Sequence, residues 1–157
     1  MGSEMQSVIL PLRPTVAGLF TWERKLLLGR NRKNGKYDVV QGGMEPGENQ
    51  REALYEETSE EYSREIADLI GWLYDVGTDT RPMKPFEKEG VWYGGKFYHY
   101  VGSALVGKPS LSPGKEFYDF CLVDHEQAQR MLLSREDHKM KILSRMIYTL
   151  RCMNKIS

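Results

Sequence analysis

Cysteine is scarce in this chain: Cys121 and Cys152 stand alone, with no CxxC pair and no Cys/His spacing. That excludes a disulfide scaffold and a thiolate zinc centre, and it fits two reduced structural thiols in a cytoplasmic protein. Long apolar runs are missing too. No stretch approaches the roughly 18 residues that a membrane span needs. The N-terminus lacks a positive region followed by a hydrophobic one, so no export and no membrane partner are expected. Neither charge is in excess, since 22 Lys plus Arg balance 22 Asp plus Glu. A global polycation is thereby excluded and no DNA partner is expected; attraction for RNA or for an anionic substrate has to come from local clusters. Repeats, low-complexity tracts and linkers are absent as well.

What is present is enough for one core. With 157 residues, 40% of them hydrophobic, the chain is expected to form a single compact domain over residues 8–153. Residues 1–7 are set aside as a tail that reads partly as a cloning remnant. "TVAGLF" (Thr15 to Phe20) and "KLLLGR" (Lys25 to Arg30) predict a hairpin turning around Trp22 and Glu23. "NRKNGK" predicts a basic loop, "YDVV" a short strand, and "QGGMEPGEN" a breaker-rich loop. Asn49 is placed to cap a helix from Gln50 to Leu69, along which Tyr55, Thr58, Tyr62, Ile66 and Leu69 recur at helical spacing. Strands are expected at Trp72 to Gly77, Lys96 to Leu105 and Phe117 to Val123, and helices at His125 to Leu132 and from Asp137 to about Met153. Strands interspersed with helices predict an α/β class domain, a mixed sheet with helices on its faces.

The helix after the double glycine carries the chemistry. Residues three and four apart share a helical face, so Glu57, Glu60 and Glu61 are expected to form one acidic patch opposite the apolar stripe. Two explanations stand: a solvated acidic surface, or a site for hard divalent cations, which take carboxylate oxygens together with substrate phosphates. In the second, the glycine turn brings backbone close, and the Gly42 carbonyl becomes a further ligand.

Gly42, five residues, Glu48, seven more, and then Glu57, Glu60 and Glu61 resemble the Nudix box, G-x5-E-x7-R-E-U-x-E-E-x-G-U with U apolar. Five fixed positions agree without a gap. Glu56 replaces the motif arginine, Thr58 the first U, and Ser63 and Arg64 the closing Gly-U. Exchanging that arginine for Glu56 is expected to raise the carboxylate pKa values when no metal is present. Arg64, three and four residues beyond Glu61 and Glu60, is placed to supply the missing charge. "LRPTVAGLF", Gln41 before the glycines, and "EFYDFCLVDHEQA" are similar to one branch, the RNA 5′-pyrophosphohydrolases and asymmetric diadenosine tetraphosphate hydrolases. "YGGKFYHYV" departs from that branch by lacking its strand glutamines and Trp.

The resemblance implies an α/β/α sandwich and a Mg²⁺- or Mn²⁺-dependent pyrophosphohydrolase that acts on a nucleotide or an RNA 5′ end. It makes Glu57, Glu60 and Glu61 catalytic metal ligands, Glu116 an additional catalytic or metal-associated carboxylate, and Arg13 and Gln41 substrate contacts. Beside it, Arg30, Arg32, Lys33 and Lys36 form a basic cluster suited to a polyphosphate tail. Tyr37, Trp92, Tyr93 and Tyr98 are aromatics available for base stacking or for the core. Two other functions stay open: a Nudix-fold binding module whose box departures mark lost catalysis, and a hydrolase of another nucleoside diphosphate derivative such as a nucleotide sugar. Oligomeric state is not legible.

Overall fold

The structure, a computed structural model, describes residues 9–133 and 137–157; the tail expected at 1–7 lies outside them. β1 (Arg13–Trp22) and β2 (Lys25–Asn31) form the expected hairpin. Its turn is Glu23–Arg24, one residue later than the sequence suggested. Both residues have positive φ, 50° and 61°, the backbone hand that matches the twist of two antiparallel strands. β3 (Tyr37–Asp38) pairs with β2, and β4 (Val40–Gly43) pairs with β1. The double glycine is therefore strand, not the expected loop.

Helix α1 (Gln50–Glu61) starts with a capping box between Asn49 and Glu52, two side chains answering each other's free N–H groups. The predicted helix to Leu69 breaks at Tyr62. Ser63 takes an extended conformation and caps a separate short α2 (Arg64–Ala67) through the Ile66 N–H. Tyr62 causes the break to be worthwhile: it is fully buried, meets Phe20, Phe117 and Phe120 edge-on, and donates its hydroxyl to the Asp38 carbonyl at 3.2 Å.

β5 (Leu73–Lys88) and β6 (Val91–Ala104) are much longer than the strands expected there, forming a ribbon that turns at Glu89–Gly90, with φ of 50° and 81°. Periodicity fails to show the outer half because that part is mostly exposed on both faces. β7 (Phe117–Val123) pairs with β2, followed by α3 (His125–Leu133) and α4 (His138–Cys152), whose cap is Asp137. The main path of the sheet is β3-β2-β1-β6-β5, with β1 and β6 parallel and the other pairings antiparallel.

Alternation along β1 divides the core. Ala17 and Leu19 pack with Ala128 and Leu132 of α3 and with Met140, Leu143, Ile147 and Leu150 of α4. Val16 and Phe20 pack with Ala53 and Leu54 of α1 and with Ile66 of α2. Helices thus cover both faces, the expected α/β/α sandwich. Ile156 is fully buried and the Ser157 N–H donates to the Arg24 carbonyl, so the chain's last residues pack in the same body. Cys121 is half-buried and Cys152 exposed, both as free thiols. No described helix is long and apolar enough to cross a membrane.

Candidate active site

A cleft of about 650 Å³ opens where β4 meets α1, lined by both carboxylates and cations. Glu56, Glu57 and Glu60 come from α1, Glu45 from the preceding loop and Glu89 from the ribbon turn, and Arg13, Arg81, Lys88, Lys96 and Lys139 come from β1, β5, β6 and α4. Gln41, Gly42 and Gly43 floor it. The glycines are required by close approach: a Cβ on Gly42 would run into the Glu57 carboxyl, and one on Gly43 into the Arg13 guanidinium. Side-chain absence here lets an acid and a cation pack closely against the two faces of one short strand.

The three box acids do not share one exposed patch. Glu60 is exposed at the rim, Glu57 is half-buried over Gly42, and Glu61 is only 9% exposed, near the Gln41 N–H at 3.5 Å. The helix turns position 61 toward the sheet because Leu54, Thr58 and Glu61 occupy its inward face. Burial first, then a hydrogen bond with Glu57 and repulsion from it, push the Glu61 carboxyl up to about 9. Burial likewise raises Glu57, although the bond from Glu61 opposes the rise. Glu61 therefore keeps a proton at neutral pH and donates it to Glu57. On the outer side, a hydrogen bond with Glu48 and then repulsion from it raise Glu56, which stands where the motif has arginine. The exchange to Glu56 contributes an upward push at Glu57, behind burial and Glu60, whereas the rise at Glu61 comes from burial, Glu57 and Glu116.

Glu116 is exposed; its N–H donates to the Glu61 carbonyl at 3.1 Å, and its charge adds a small upward push on Glu61. Arg13 lines the cleft and pairs with Glu45 at 3.7 Å. Arg64 is exposed and makes no ion pair with Glu60 or Glu61, because α1 ends before it. The basic cluster also points elsewhere. Arg30 lies over Tyr37 and Tyr118, Arg32 over Tyr118, and Lys36 binds Asp137 at 2.7 Å. These partners hold Arg30, Arg32, Lys36 and Tyr37 away from the cleft, although Lys36 lines a neighbouring hollow that shares Arg81 and Lys139 with it. Of the aromatics, Tyr98 reaches the cleft floor while stacked on Tyr100, Tyr93 pairs with Phe86, and Trp92 is 52% exposed on the ribbon.

Arg81, Lys88, Lys96 and Lys139 are the cations that sequence reasoning missed. The first three sit on the long ribbon, whose register no local pattern reveals. Lys139 begins the amphipathic helix like any polar-face lysine, yet it pairs with the buried Asp38 at 2.5 Å. Burial holds the Asp38 carboxyl above its usual range despite that partner.

Among the described residues, no three Asp, Glu, His or Cys side chains converge closely enough to hold a metal unaided. Two touching carboxyls with no cation between them, Glu57 and Glu61, nevertheless fit a hard ion that takes one or two protein carboxylates and completes its shell with substrate oxygens. Below the usual carboxylate value of 4.5, Glu61 is protonated folded or unfolded; between there and about 9 only the folded form holds the proton. The metal-free protein is thus expected to lose stability as pH rises through that window. Thermal melts in chelator from pH 5 to 9 should show a falling Tm, with Mg²⁺ reducing the fall as it replaces the proton. A flat profile would contradict the protonated pair.

The family model described as NUDIX domain matches residues 11–145. No curated protein matches in sequence. Among solved structures, a MutT protein from Methanosarcina mazei Go1 is similar at 19% identity and TM-score 0.63, covering 95% of this chain and 99% of that one. A C. elegans Ap4A hydrolase in a binary complex is similar at 14% identity and TM-score 0.59, covering 90% and 97%. The NUDIX domain of Shewanella oneidensis NrtR, complexed with ADP ribose, gives 10% identity and TM-score 0.59, covering 91% and 88%.

Proposed function

The chain belongs to the NUDIX family, hydrolases that act on acid anhydrides, and we propose that it is a metal-dependent pyrophosphohydrolase cleaving a phosphoanhydride in a nucleoside polyphosphate, either an RNA 5′-triphosphate end or a dinucleoside polyphosphate. One observation carries this function: Glu57, with Glu61 buried behind it, lines the same cleft as Arg13, Arg81, Lys88, Lys96 and Lys139. Such an arrangement suits a ligand with negative oxygens on one side and a divalent ion on the other. Free thiols suit a cytoplasmic setting.

Glu57 and Glu61 are the residues that would hold Mg²⁺ or Mn²⁺, with Glu60 at the rim and the Gly42 backbone beneath. The ion supplies positive charge against the phosphate oxygens and makes water more acidic. Arg13 and Lys96 hold the phosphates in place, so that positioning and charge stabilisation provide most of the rate. The proton acceptor is one of the carboxyls Glu57, Glu60, Glu61 and Glu116, of which Glu57 and Glu61 share a hydrogen bond and take up protons together. Gln41, on the cleft floor, contacts substrate. A second function, nucleotide binding without turnover, draws support from Glu56, whose carboxyl pairs with Glu48 where the motif places arginine.

Incubation with Mg²⁺ or Mn²⁺ and a panel of triphosphorylated RNA, diadenosine tetraphosphate and nucleotide sugars tests the proposal. Turnover of either of the first two is the expected result. Binding without turnover would favour the second function, and turnover of nucleotide sugars alone would move the substrate to another nucleoside diphosphate derivative.

A further inference from the structure

We propose that Arg13, Lys96 and Arg81 form a polyphosphate track across the sheet, and that Arg81 at its far end selects substrates with three or more linked phosphates over those with two. This rests on the phosphoanhydride-cleaving function above and adds the residue that sets how many linked phosphates the site requires. β6 lies between β1 and β5, and the register puts Lys96 directly beside Arg13 on one side and directly beside Arg81 on the other. In-register neighbours point to one face of a sheet, where like charges destabilise the pairing. Three cations in a row are therefore a cost to the fold that a polyanion lying across them would offset. The row is two inter-strand spacings wide, roughly 10 Å, longer than a single pyrophosphate link.

Protein counter-charge along the row is thin. Arg13 reaches Glu45 at 3.7 Å, Arg81 Nη2 is 3.9 Å from Asp79 Oδ2, and Lys96 has no ion pair among the described residues. The Arg81 Nε and Nη2 donors are buried with no hydrogen-bond acceptor among the described residues. Its guanidinium is held instead by stacking, 4.8 Å from the Tyr98 ring centre, with a 3.5 Å contact from Nη1 to the Tyr98 hydroxyl. A planar fork of N–H groups fixed in this way, with donors unused, suits phosphate oxygens. Burial, then repulsion from Arg13, Lys139, Arg81 and Lys88, pull the Lys96 ammonium below its usual range.

Direction follows from strand order. Arg13 is on β1, which pairs with the β4 glycines beside Glu57, whereas Arg81 is on β5, two strands further from them, so the phosphate at Arg13 is nearest the carboxylates and Arg81 meets those further along. Arg81 also borders a second hollow of about 280 Å³, lined by Lys36 and Lys139 together with the Asp38 and Asp137 carboxyls that pair with them, and by Asn34 and His138. That hollow gives room to the group at the chain's distant end.

Isothermal titration of the full chain in chelator, with inorganic tripolyphosphate and with pyrophosphate, tests the track apart from hydrolysis. Wild type is expected to prefer tripolyphosphate. Arg81→Gln should weaken tripolyphosphate about tenfold or more, as loss of charged hydrogen bonds does, with far less effect on pyrophosphate. Arg81→Lys should fall between, and Lys96→Gln should weaken both anions. Thermal melts establish that each variant is folded. Equal losses for both anions, or none in folded Arg81→Gln and Arg81→Lys, would overturn the track while leaving phosphoanhydride cleavage standing. Conversely, Arg81-dependent tripolyphosphate binding without hydrolysis of any anhydride would keep the track and remove the function.

Discussion

Glu61→Gln is expected to lower kcat by roughly 100-fold or more, the scale of a positioned acid–base group, while KM changes little. The substitution preserves shape and the contact with the Gln41 N–H, but it removes the negative charge that Glu61 develops once an ion displaces its proton. That charge acts on the transition state more than on bound substrate, so the loss falls on kcat. The same variant should show a shallower fall of metal-free stability between pH 5 and 9, because glutamine has no proton to exchange while Glu57 and Asp38 keep theirs. Steady-state kinetics and melts on one preparation check both. Undiminished kcat would remove Glu61 from the machinery.

Lys139→Met should destabilise the fold by about 3 kcal/mol, the lower end for breaking a buried ion pair from one side. For a domain of this size the Tm would fall by roughly 6–12 °C. Asp38 is the reason: it is 3% exposed, its Oδ1 accepts from the Val39 N–H at 2.8 Å, and Lys139 is the cation its other oxygen meets. Without that partner Asp38 is driven further toward its protonated form. The loss should therefore be smaller at acid pH, where the carboxyl is neutral, and greater as pH rises. Adding Asp38→Asn to Lys139→Met should recover part of the Tm. Chemical or thermal unfolding at pH 5.5 and 8 measures all three, and a Tm unchanged by Lys139→Met would show the pair to be dispensable.

Much of the site was legible for a local reason. The box from Gly42 to Glu61 is contiguous, and helix geometry relates its acids over short separations, so spacing alone locates Glu57 and Glu61 beside the glycines. Spacing did not separate their environments. The predicted uniform acidic face becomes one exposed acid, one half-buried and one buried, since the inward direction of α1 depends on what packs against it. The basic loop was misplaced for a related reason: Arg30 and Arg32 are near the box in sequence but lie over tyrosines away from the cleft, and Lys36, paired with Asp137, reaches only the neighbouring hollow. Arg64 was cut off from the acids by the break at Tyr62, which aromatic packing imposes from three distant residues.

By itself, the sequence determined the layered α/β/α class, the first hairpin, the Asn49 cap and the acids of the box, because each depends on interactions within a few residues. Tertiary structure alone decided which cations face those acids. Arg13, Lys96 and Arg81 lie far apart along the chain and meet only through the pairing of β1, β6 and β5, and Lys139 reaches Asp38 only because α4 packs on that face. Strand register and helix docking are set by the whole core, so the charge balance of the cleft is a property of the assembled sheet.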